Sequence, residues 1–211
     1  MADYAGRTKY DEAGRAAAYA ARDPRRHAEE WRLVLRVLAG RPWPETVTDV
    51  PCGAGRMALE FLRRGSRVRA ADLSPAMREE AKRALETESG FLGVVELDLE
   101  APDPPASLAA ELVICFRFLH HLPDAAARGR VLSTLARLAR PAALVSFHHP
   151  MSLHNVARAA RRVLTGRRGD RATITLGRLA REAEGHGLSL VRSAAIAPGL
   201  RELWVALFER R

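Results

Sequence analysis

Hydrophobic and polar positions follow two different periods along this chain, and together they predict strands interleaved with helices. Trp31, Val34 and Leu38 recur at helical spacing after Asp23-Pro24, where Asp caps a helix and Pro suits its first turn. From residue 47, short apolar stretches alternate with amphipathic ones. The predicted strands are 47–50, 67–72, 91–99, 112–116, 144–147, 188–196 and 202–208. The predicted helices that follow the first are 57–64, 74–86, 124–139 and 175–184.

Strands that alternate with helices indicate βαβ units and a parallel sheet covered on both faces. The end of the chain differs, because its last two predicted strands are joined by a turn at Pro198-Gly199. Such a short connection joins antiparallel neighbours. We therefore expect one doubly wound α/β unit with a mixed sheet, preceded by a helical N-terminal cap over residues 1–44.

Composition narrows the class of protein. The 211 residues are 47% hydrophobic and 28% charged, which is typical of a globular domain. We expect a cytoplasmic protein, since no apolar stretch is long enough for a membrane helix and the first residues are polar. Two cysteines, Cys52 and Cys115, are too few for a disulfide framework, and both are expected to stay reduced.

The chain carries a formal net charge of +9, and all but two of its 34 basic residues are arginine. This bias is typical of a GC-rich genome, so it is weak support for a nucleic-acid partner. The segment between Arg158 and Arg171 concentrates arginines beside an apolar helical face. It is compatible with a solvated helix, with forks that hold an anionic acceptor, or with peripheral contact to an anionic membrane. Nucleic acid is the weakest alternative, because the segment has no aromatic residue for base stacking.

A glycine loop lies between the first predicted strand of the sheet and the following helix. Gly53 and Gly55 allow a ligand to approach the backbone, and the helix start exposes unpaired amides. Asp72 ends the next predicted strand, 17 residues after Gly55. A carboxylate at this distance is typical of a residue that accepts hydrogen bonds from both hydroxyls of a ribose. The loop therefore predicts a nucleoside site.

The loop alone does not identify the nucleoside that binds. The string Gly53-x-Gly55-x-x-Ala58 also satisfies the dinucleotide fingerprint, which keeps an NAD-dependent oxidoreductase open. Two residues favour a ligand without phosphates. Asp49 would repel a phosphate but could accept a hydrogen bond from an ammonium group, and Pro51 removes a backbone donor.

Three ordered stretches resemble the class I S-adenosylmethionine-dependent methyltransferases. They read DVPCGAGR at 49–56, VRAADLSPAM at 68–77 and LVICFRFLHHL at 112–122. The resemblance runs from residue 47 to 150 and implies a methyltransferase domain over residues 45–211. It also implies a Rossmann-like, seven-stranded mixed sheet whose last strand is antiparallel. The implied cofactor is S-adenosylmethionine and the implied reaction is methylation of a small, anionic or lipophilic acceptor.

The resemblance also implies cofactor-binding roles for matching positions. Loop residues would line the methionine moiety, the acid after the second strand would hold the ribose, and residues after the second and third strands would flank the adenine. Departures from the usual pattern are Pro51, where a glycine is common, and Ala110-Glu111, where Phe-Asp is common. The implied residues are Asp49, Pro51, Cys52, Gly53, Ala54, Gly55, Asp72, Leu73, Met77, Asp98, Leu99, Cys115, Phe116 and Arg117, with Tyr10, Arg15 and Tyr19 from the cap.

Histidines are the candidates for acid–base chemistry. His120-His121 follow the fourth predicted strand of the sheet and His148-His149 follow the fifth, so both pairs lie at the edge where open α/β sheets bind ligands. Histidine suits proton removal near neutral pH. We take His148, His149 and His121 as catalytic candidates, although the first pair also fits a capping or packing role. Near the second pair and His154 no cysteine or carboxylate clusters, so no metal site is expected.

Three alternatives to a small-molecule methyltransferase stay open at this point. The first alternative is methyl transfer to RNA, which the arginine content favours, although no appended RNA-binding module is visible. The string Gly53-x-Gly55-x-x-Ala58 leaves an NAD-dependent oxidoreductase as the second alternative. The third alternative is a cofactor-binding subunit that has no activity of its own. The sequence identifies neither the acceptor, the methylated atom nor the oligomeric state.

Overall fold

The structure, a computed structural model, describes residues 24–122, 124–151, 172–199 and 201–211. Within these ranges the chain forms a seven-stranded sheet with helices packed on both faces. The strands are β1 (Thr46–Asp49), β2 (Arg67–Asp72), β3 (Phe91–Glu96), β4 (Ala110–Cys115), β5 (Ala139–His148), β6 (Leu188–Ala195) and β7 (Leu203–Arg210). The helices are α1 (Pro24–Leu38), α2 (Arg56–Leu62), α3 (Pro75–Leu85), α4 (Ala125–Leu138) and α5 (Leu176–Glu184), with short 3₁₀ turns at Ala106–Leu108 and Leu119–His121.

The order of the strands confirms the predicted doubly wound mixed sheet. The strands lie in the order β3-β2-β1-β4-β5-β7-β6. β1 to β5 pair in parallel, whereas β7 is antiparallel to both β5 and β6. The order reverses between β1 and β4, which is where open α/β sheets form a crevice beyond the carboxyl ends of their strands.

Side chains on the two faces of the sheet enter two separate cores. Along β5, Ala143, Val145 and Phe147 belong to the core beneath α4 and α5, while Ala142 and Leu144 belong to the core beneath α1, α2 and α3. This alternation follows from the two-residue period of a strand that is buried on both faces. The two cores hold the strand ends rigidly, so the loops that follow them keep fixed positions.

Local capping explains where three helices begin. The side chains of Ser74, Asp124 and Thr175 each accept a hydrogen bond from a backbone N–H in the first turn of the helix that follows. These contacts satisfy amides that would otherwise have no partner within the helix. The predicted starts at residues 74, 124 and 175 each coincide with the capping residue itself.

Two predicted boundaries were wrong. β3 ends at Glu96 and not at residue 99, and Leu97 and Leu99 pack instead into the core beneath α4. β5 begins at Ala139, five residues before its predicted start. Pro141 hid this part of the strand, because proline cannot donate to a sheet ladder. It is tolerated here because the register with β4 shifts next to it and pairing with β7 begins only at Ala142.

No helix within the described ranges has the length and apolar character needed to cross a membrane. The helical cap predicted over residues 1–44 lies in part outside those ranges, because residues 1–23 are not among them. Helix α1 itself packs into the same core as α2 and α3.

Candidate active site

The loop between β1 and α2 is tied to the ends of the neighbouring strands. The N–H of Val50 donates to the carbonyl of Ile114 at 2.8 Å, and the N–H of Cys52 donates to the carbonyl of Ala71 at 2.8 Å. Gly53 then adopts a left-handed conformation with φ of 54°. Few side chains tolerate this region, so glycine is required for the turn.

Gly55 begins α2 and is constrained twice. Its φ is 76°, again in the left-handed region. A Cβ at this position would lie 2.8 Å from Cδ1 of Leu85, a fully buried residue of α3. The loop therefore runs directly against α3 and has no room for a side chain here, which explains the second glycine of the motif.

Asp72 joins the glycine loop to the end of β2. Its carboxylate accepts one hydrogen bond from the N–H of Gly53 and another from the N–H of Ser74, each at 2.9 Å. Burial raises the pKa of Asp72, and the two backbone donors together with the charge of Arg78 counteract that rise. The structure thus brings the predicted acid and the glycine loop into direct contact.

Asp49 lies at the end of β1, beneath the loop. Its side chain is buried and accepts a hydrogen bond from the N–H of Ala58 at 3.0 Å. Burial raises the pKa of Asp49 from 3.8 to about 7, and the nearby charge of Asp72 adds to the rise. Two buried carboxyl groups this close to the loop make it unfavourable for phosphate.

The raised pKa of Asp49 has a consequence for stability. The folded protein holds this proton more tightly than the unfolded chain does between pH 4 and 7. The stability that Asp49 contributes is therefore fully present below about pH 4 and is lost as pH rises through about 7. Asp49→Asn keeps an acceptor for Ala58 but cannot ionise. We expect the variant to gain stability over the wild type across this window, by about 3–4 kcal/mol at most.

Urea unfolding of both proteins between pH 4 and 8 measures this difference directly. Subtracting the two curves removes titrations that they share. Parallel curves across the whole range would show that Asp49 ionises in the folded protein as easily as in the unfolded chain.

The residues assigned to the adenine follow β2 and β3. Leu73 is half-buried and Met77 is buried in the first turn of α3. Asp98 is half-buried, and its Oδ1 accepts a hydrogen bond from the N–H of Glu100 at 2.9 Å, while Leu99 is buried. Leu73 and Met77 thus follow one strand, and Asp98 and Leu99 follow its neighbour in the sheet.

Two residues at the end of β4 belong to the hydrophobic cores, and the next residue forms an ion pair. Cys115 is fully buried in the core beneath α4, and Phe116 is buried on the opposite face of the sheet. Arg117 has a left-handed φ of 59°, and its N–H donates to Oγ of Ser146 at 2.6 Å. Its guanidinium donates to Oε1 of Glu30 in α1 at 2.5 Å. Arg117 therefore holds α1 against the end of β4, a contact that the sequence did not predict.

The four candidate histidines lie together at the carboxyl ends of β4 and β5. The ring of His120 stacks on that of His148 with a centroid distance of 4.2 Å, and the ring of His121 is tilted against it at 4.0 Å. His149 stacks instead on Trp204 of β7 at 4.8 Å. His148 is buried, whereas His149 and His121 are half-buried.

A crevice opens beside this cluster. It is lined by His120 and His148, by Leu119, Phe147 and Arg128, and by residues 172–174. The backbone of residues 172–174 is fastened to the cluster, because the N–H of Ala172 donates to the carbonyl of His120 and that of Ile174 donates to the carbonyl of His148, each at 2.9 Å. These two bonds fix the backbone of residues 172–174 beside His120 and His148.

Some predicted residues lie outside the described ranges. They are Tyr10, Arg15, Tyr19, His154 and the segment between Arg158 and Arg171. Among the residues that are described, no group of three or more His, Cys, Asp or Glu side chains could hold a metal ion.

The sheet order and the glycine loop closed by Asp72 together define the class I S-adenosylmethionine-dependent methyltransferase fold. A comparison with protein families agrees, since residues 47–142 match the family described as "Methyltransferase domain". The match covers less than half of the 211 residues and includes all three of the sequence motifs.

A curated relative supports the family match. A ubiquinone biosynthesis O-methyltransferase from Albidiferax ferrireducens is 34% identical over 109 residues, which are 51% of this chain and 42% of that protein. The chain therefore spans about two fifths of the length of this curated relative.

Two solved structures share the fold at low sequence identity. Magnesium protoporphyrin IX methyltransferase from Synechocystis, with bound S-adenosylhomocysteine, gives a TM-score of 0.65 at 18% identity, covering 89% of this chain and 83% of that one. A TehB-like S-adenosylmethionine-dependent methyltransferase from Corynebacterium glutamicum gives 0.64 at 22%, covering 98% and 99%. These likenesses extend the shared fold beyond residue 142.

Proposed function

We propose that this chain transfers a methyl group from S-adenosylmethionine to a small acceptor molecule. The observation that carries the proposal is the contact of the Asp72 carboxylate with the N–H of Gly53, which joins a ribose acceptor to the loop that approaches the nucleoside. The family match over residues 47–142 supports the same cofactor. The residues at the loop also fit a nucleoside without phosphates, because the buried carboxyl groups of Asp49 and Asp72 would disfavour a phosphate there.

The residues around the loop have distinct proposed roles in binding. Asp72 accepts hydrogen bonds from the ribose, and Leu73, Met77, Asp98 and Leu99 surround the adenine. Gly53, Ala54 and Gly55, with Asp49 below them, hold the methionine end. When bound, S-adenosylmethionine supplies a sulfonium methyl group that a nucleophile displaces in line. Holding the nucleophile close to that carbon can be worth about 7–11 kcal/mol, so positioning is the main task of the protein.

A proton acceptor helps when the acceptor molecule is protonated at working pH. We infer that His148 or His149 takes this role, because both follow β5 at the carboxyl edge of the sheet. His149 is the more accessible of the two, and His148 lines the crevice. An alanine variant of the residue that takes the proton should lower turnover by about 10²–10⁴-fold where proton removal limits the reaction. Unchanged turnover and acceptor affinity in both variants would exclude the role.

The acceptor is proposed to be small. The curated relative from Albidiferax ferrireducens and the Synechocystis structure are named for methylation in ubiquinone biosynthesis and of magnesium protoporphyrin IX, respectively. Both names point to low-molecular-weight acceptors. We propose that the acceptor of this chain is anionic or lipophilic. The guanidinium groups of arginine side chains would bind the carboxylate of an anionic acceptor.

Thermal unfolding with competing cofactors tests the proposal at low cost. A ligand that binds only the folded protein raises its melting temperature. We expect S-adenosylhomocysteine to raise it and NADH at equal concentration to leave it unchanged. The opposite ranking would favour the oxidoreductase that the string Gly53-x-Gly55-x-x-Ala58 also permits.

A further inference from the structure

One face of α4 holds the chain segment that follows β3. Arg130 and Thr134 are one helical turn apart, so they project from the same side of α4. The guanidinium of Arg130 donates to Oε2 of Glu100 from Nε at 3.1 Å and from Nη2 at 2.6 Å. The hydroxyl of Thr134 donates to the carbonyl of Ala101 at 3.1 Å. These contacts fasten the segment just beyond Asp98.

The carboxylate of Glu100 depends on Arg130. The side chain of Glu100 is 3% exposed, whereas that of Arg130 is 42% exposed. The other carboxylate oxygen, Oε1, is buried and has no hydrogen-bond partner among the residues that the structure describes. A buried charge is costly when its partner is removed, because water cannot solvate it. We therefore expect the loss of Arg130 to release Glu100 from its position beside α4.

The position of Glu100 bears directly on Asp98. The backbone N–H of Glu100 donates to Oδ1 of Asp98 at 2.9 Å, so the peptide of Glu100 orients this carboxylate. On the other side of Asp98, the N–H of Leu97 donates to the carbonyl of Asp72 at 3.4 Å. Leu99 packs into the core beneath α4. Asp98 is thus held between the end of β2 and the side of α4.

We propose that the ion pair between Arg130 and Glu100 sets how strongly the site prefers adenine, because it fixes the N–H that orients the Asp98 carboxylate. The inference rests on the proposed function, in which Asp98 accepts a hydrogen bond from the adenine amino group. Hypoxanthine carries a carbonyl oxygen in place of that amino group, and a carboxylate cannot donate to it. Arg130 and Glu100 act through Asp98, so both are positioning residues.

Calorimetric titration with two nucleosides tests the proposal. They are S-adenosylhomocysteine and S-inosylhomocysteine, in which hypoxanthine replaces adenine. We expect the wild type to prefer the first by about 10- to 100-fold, the range for a hydrogen bond to a charged group. Arg130→Ala should lower the affinity for S-adenosylhomocysteine by about tenfold and that for S-inosylhomocysteine by less than about threefold. Equal losses for both nucleosides would overturn the proposal, since general damage to the site acts on both.

Two further variants separate orientation from stability. Arg130→Lys keeps a positive charge beside Glu100 and should restore part of the preference for adenine. Adding Glu100→Gln to Arg130→Ala removes the buried charge, so urea unfolding should show a more stable protein than Arg130→Ala alone. We expect this double variant to keep the weakened preference. Recovery of the wild-type preference along with stability would contradict the proposal.

Arg137→Ala is the matched control, because Arg137 lies three residues beyond Thr134 on the same face of α4 and pairs with Asp103 at 2.9 Å. These side chains are 54% and 86% exposed, so their contact contributes little. We expect this variant to keep the wild-type preference. A change as large as that in Arg130→Ala would overturn the specific role of Arg130. So would a wild-type protein that binds both nucleosides equally well, whereas a wild type that binds neither would refute the proposed function itself.

Discussion

Replacing Asp72 by asparagine is expected to lower the affinity for S-adenosylhomocysteine by about 100-fold or more. Both carboxylate oxygens accept backbone hydrogen bonds, from Gly53 and from Ser74. An amide offers only one acceptor and places an N–H₂ group against one of those two donors. The backbone N–H left without a partner costs about 1–3 kcal/mol of folding stability and releases the loop from the end of β2, and the ribose loses a charged acceptor, which lowers the affinity. A 100-fold loss corresponds to about 2.7 kcal/mol.

Glu96→Gln is the matched control for this substitution. Glu96 lies opposite Asp72 in the register of β2 and β3, but it is exposed and pairs with Arg78. Calorimetric titration should give this variant an affinity within about threefold of the wild type, since exposed ion pairs contribute little. Equal losses in both variants would mean that general damage to β2 and β3 weakens binding. An unchanged affinity in Asp72→Asn would remove Asp72 from the site.

Breaking the contact between Glu30 and Arg117 is expected to be the most destabilising change in the structure outside the two cores. Both side chains are at least 95% buried, and Nη1 of Arg117 lies 2.5 Å from Oε1 of Glu30. Removing Glu30 leaves the buried charge of Arg117 without this partner, which typically costs about 3–5 kcal/mol. Removing Arg117 is expected to cost less, because Arg26 also lies 3.4 Å from Oε1 of Glu30. Replacing both by methionine is expected to cost much less than the two single changes together, because no buried charge then remains.

The neighbouring residue of α1 supplies a control pair. Glu29 accepts a hydrogen bond from Arg201 at 2.6 Å, but the two side chains are 33% and 55% exposed. Urea unfolding of both double-mutant cycles measures the two coupling energies directly. We expect a coupling below about 1 kcal/mol for the exposed pair. A similar coupling in both cycles would show that burial does not strengthen the contact between α1 and the end of β4.

The parts of the fold that depend on local rules could be read from the sequence. Ser74, Asp124 and Thr175 cap helices where the sequence predicts helix starts, because capping involves residues only three positions apart. The glycine loop and Asp72 were also predictable, since each ends or begins an element with a clear hydrophobic period. The start of β5 was not, because Pro141 reads as a break until the register shift beside it is known.

Contacts between distant residues could not be predicted in the same way. Glu30 and Arg117 are 87 positions apart, and no sequence motif links the two positions. The approach of Glu202 to His148 was missed because it follows from the antiparallel course of β7, which sets the start of that strand beside the end of β5. The sequence did predict an antiparallel end to the sheet, but not the register that brings these two residues together.

Calorimetric titration of the folded wild-type protein with S-adenosylmethionine and S-adenosylhomocysteine tests the central claim most directly. We expect each ligand to bind at one site per chain, with an affinity that Asp72→Asn abolishes or weakens by at least about 100-fold. Absence of heat with both ligands, at several temperatures and with protein that unfolds cooperatively, would contradict the assignment of this chain as a methyltransferase.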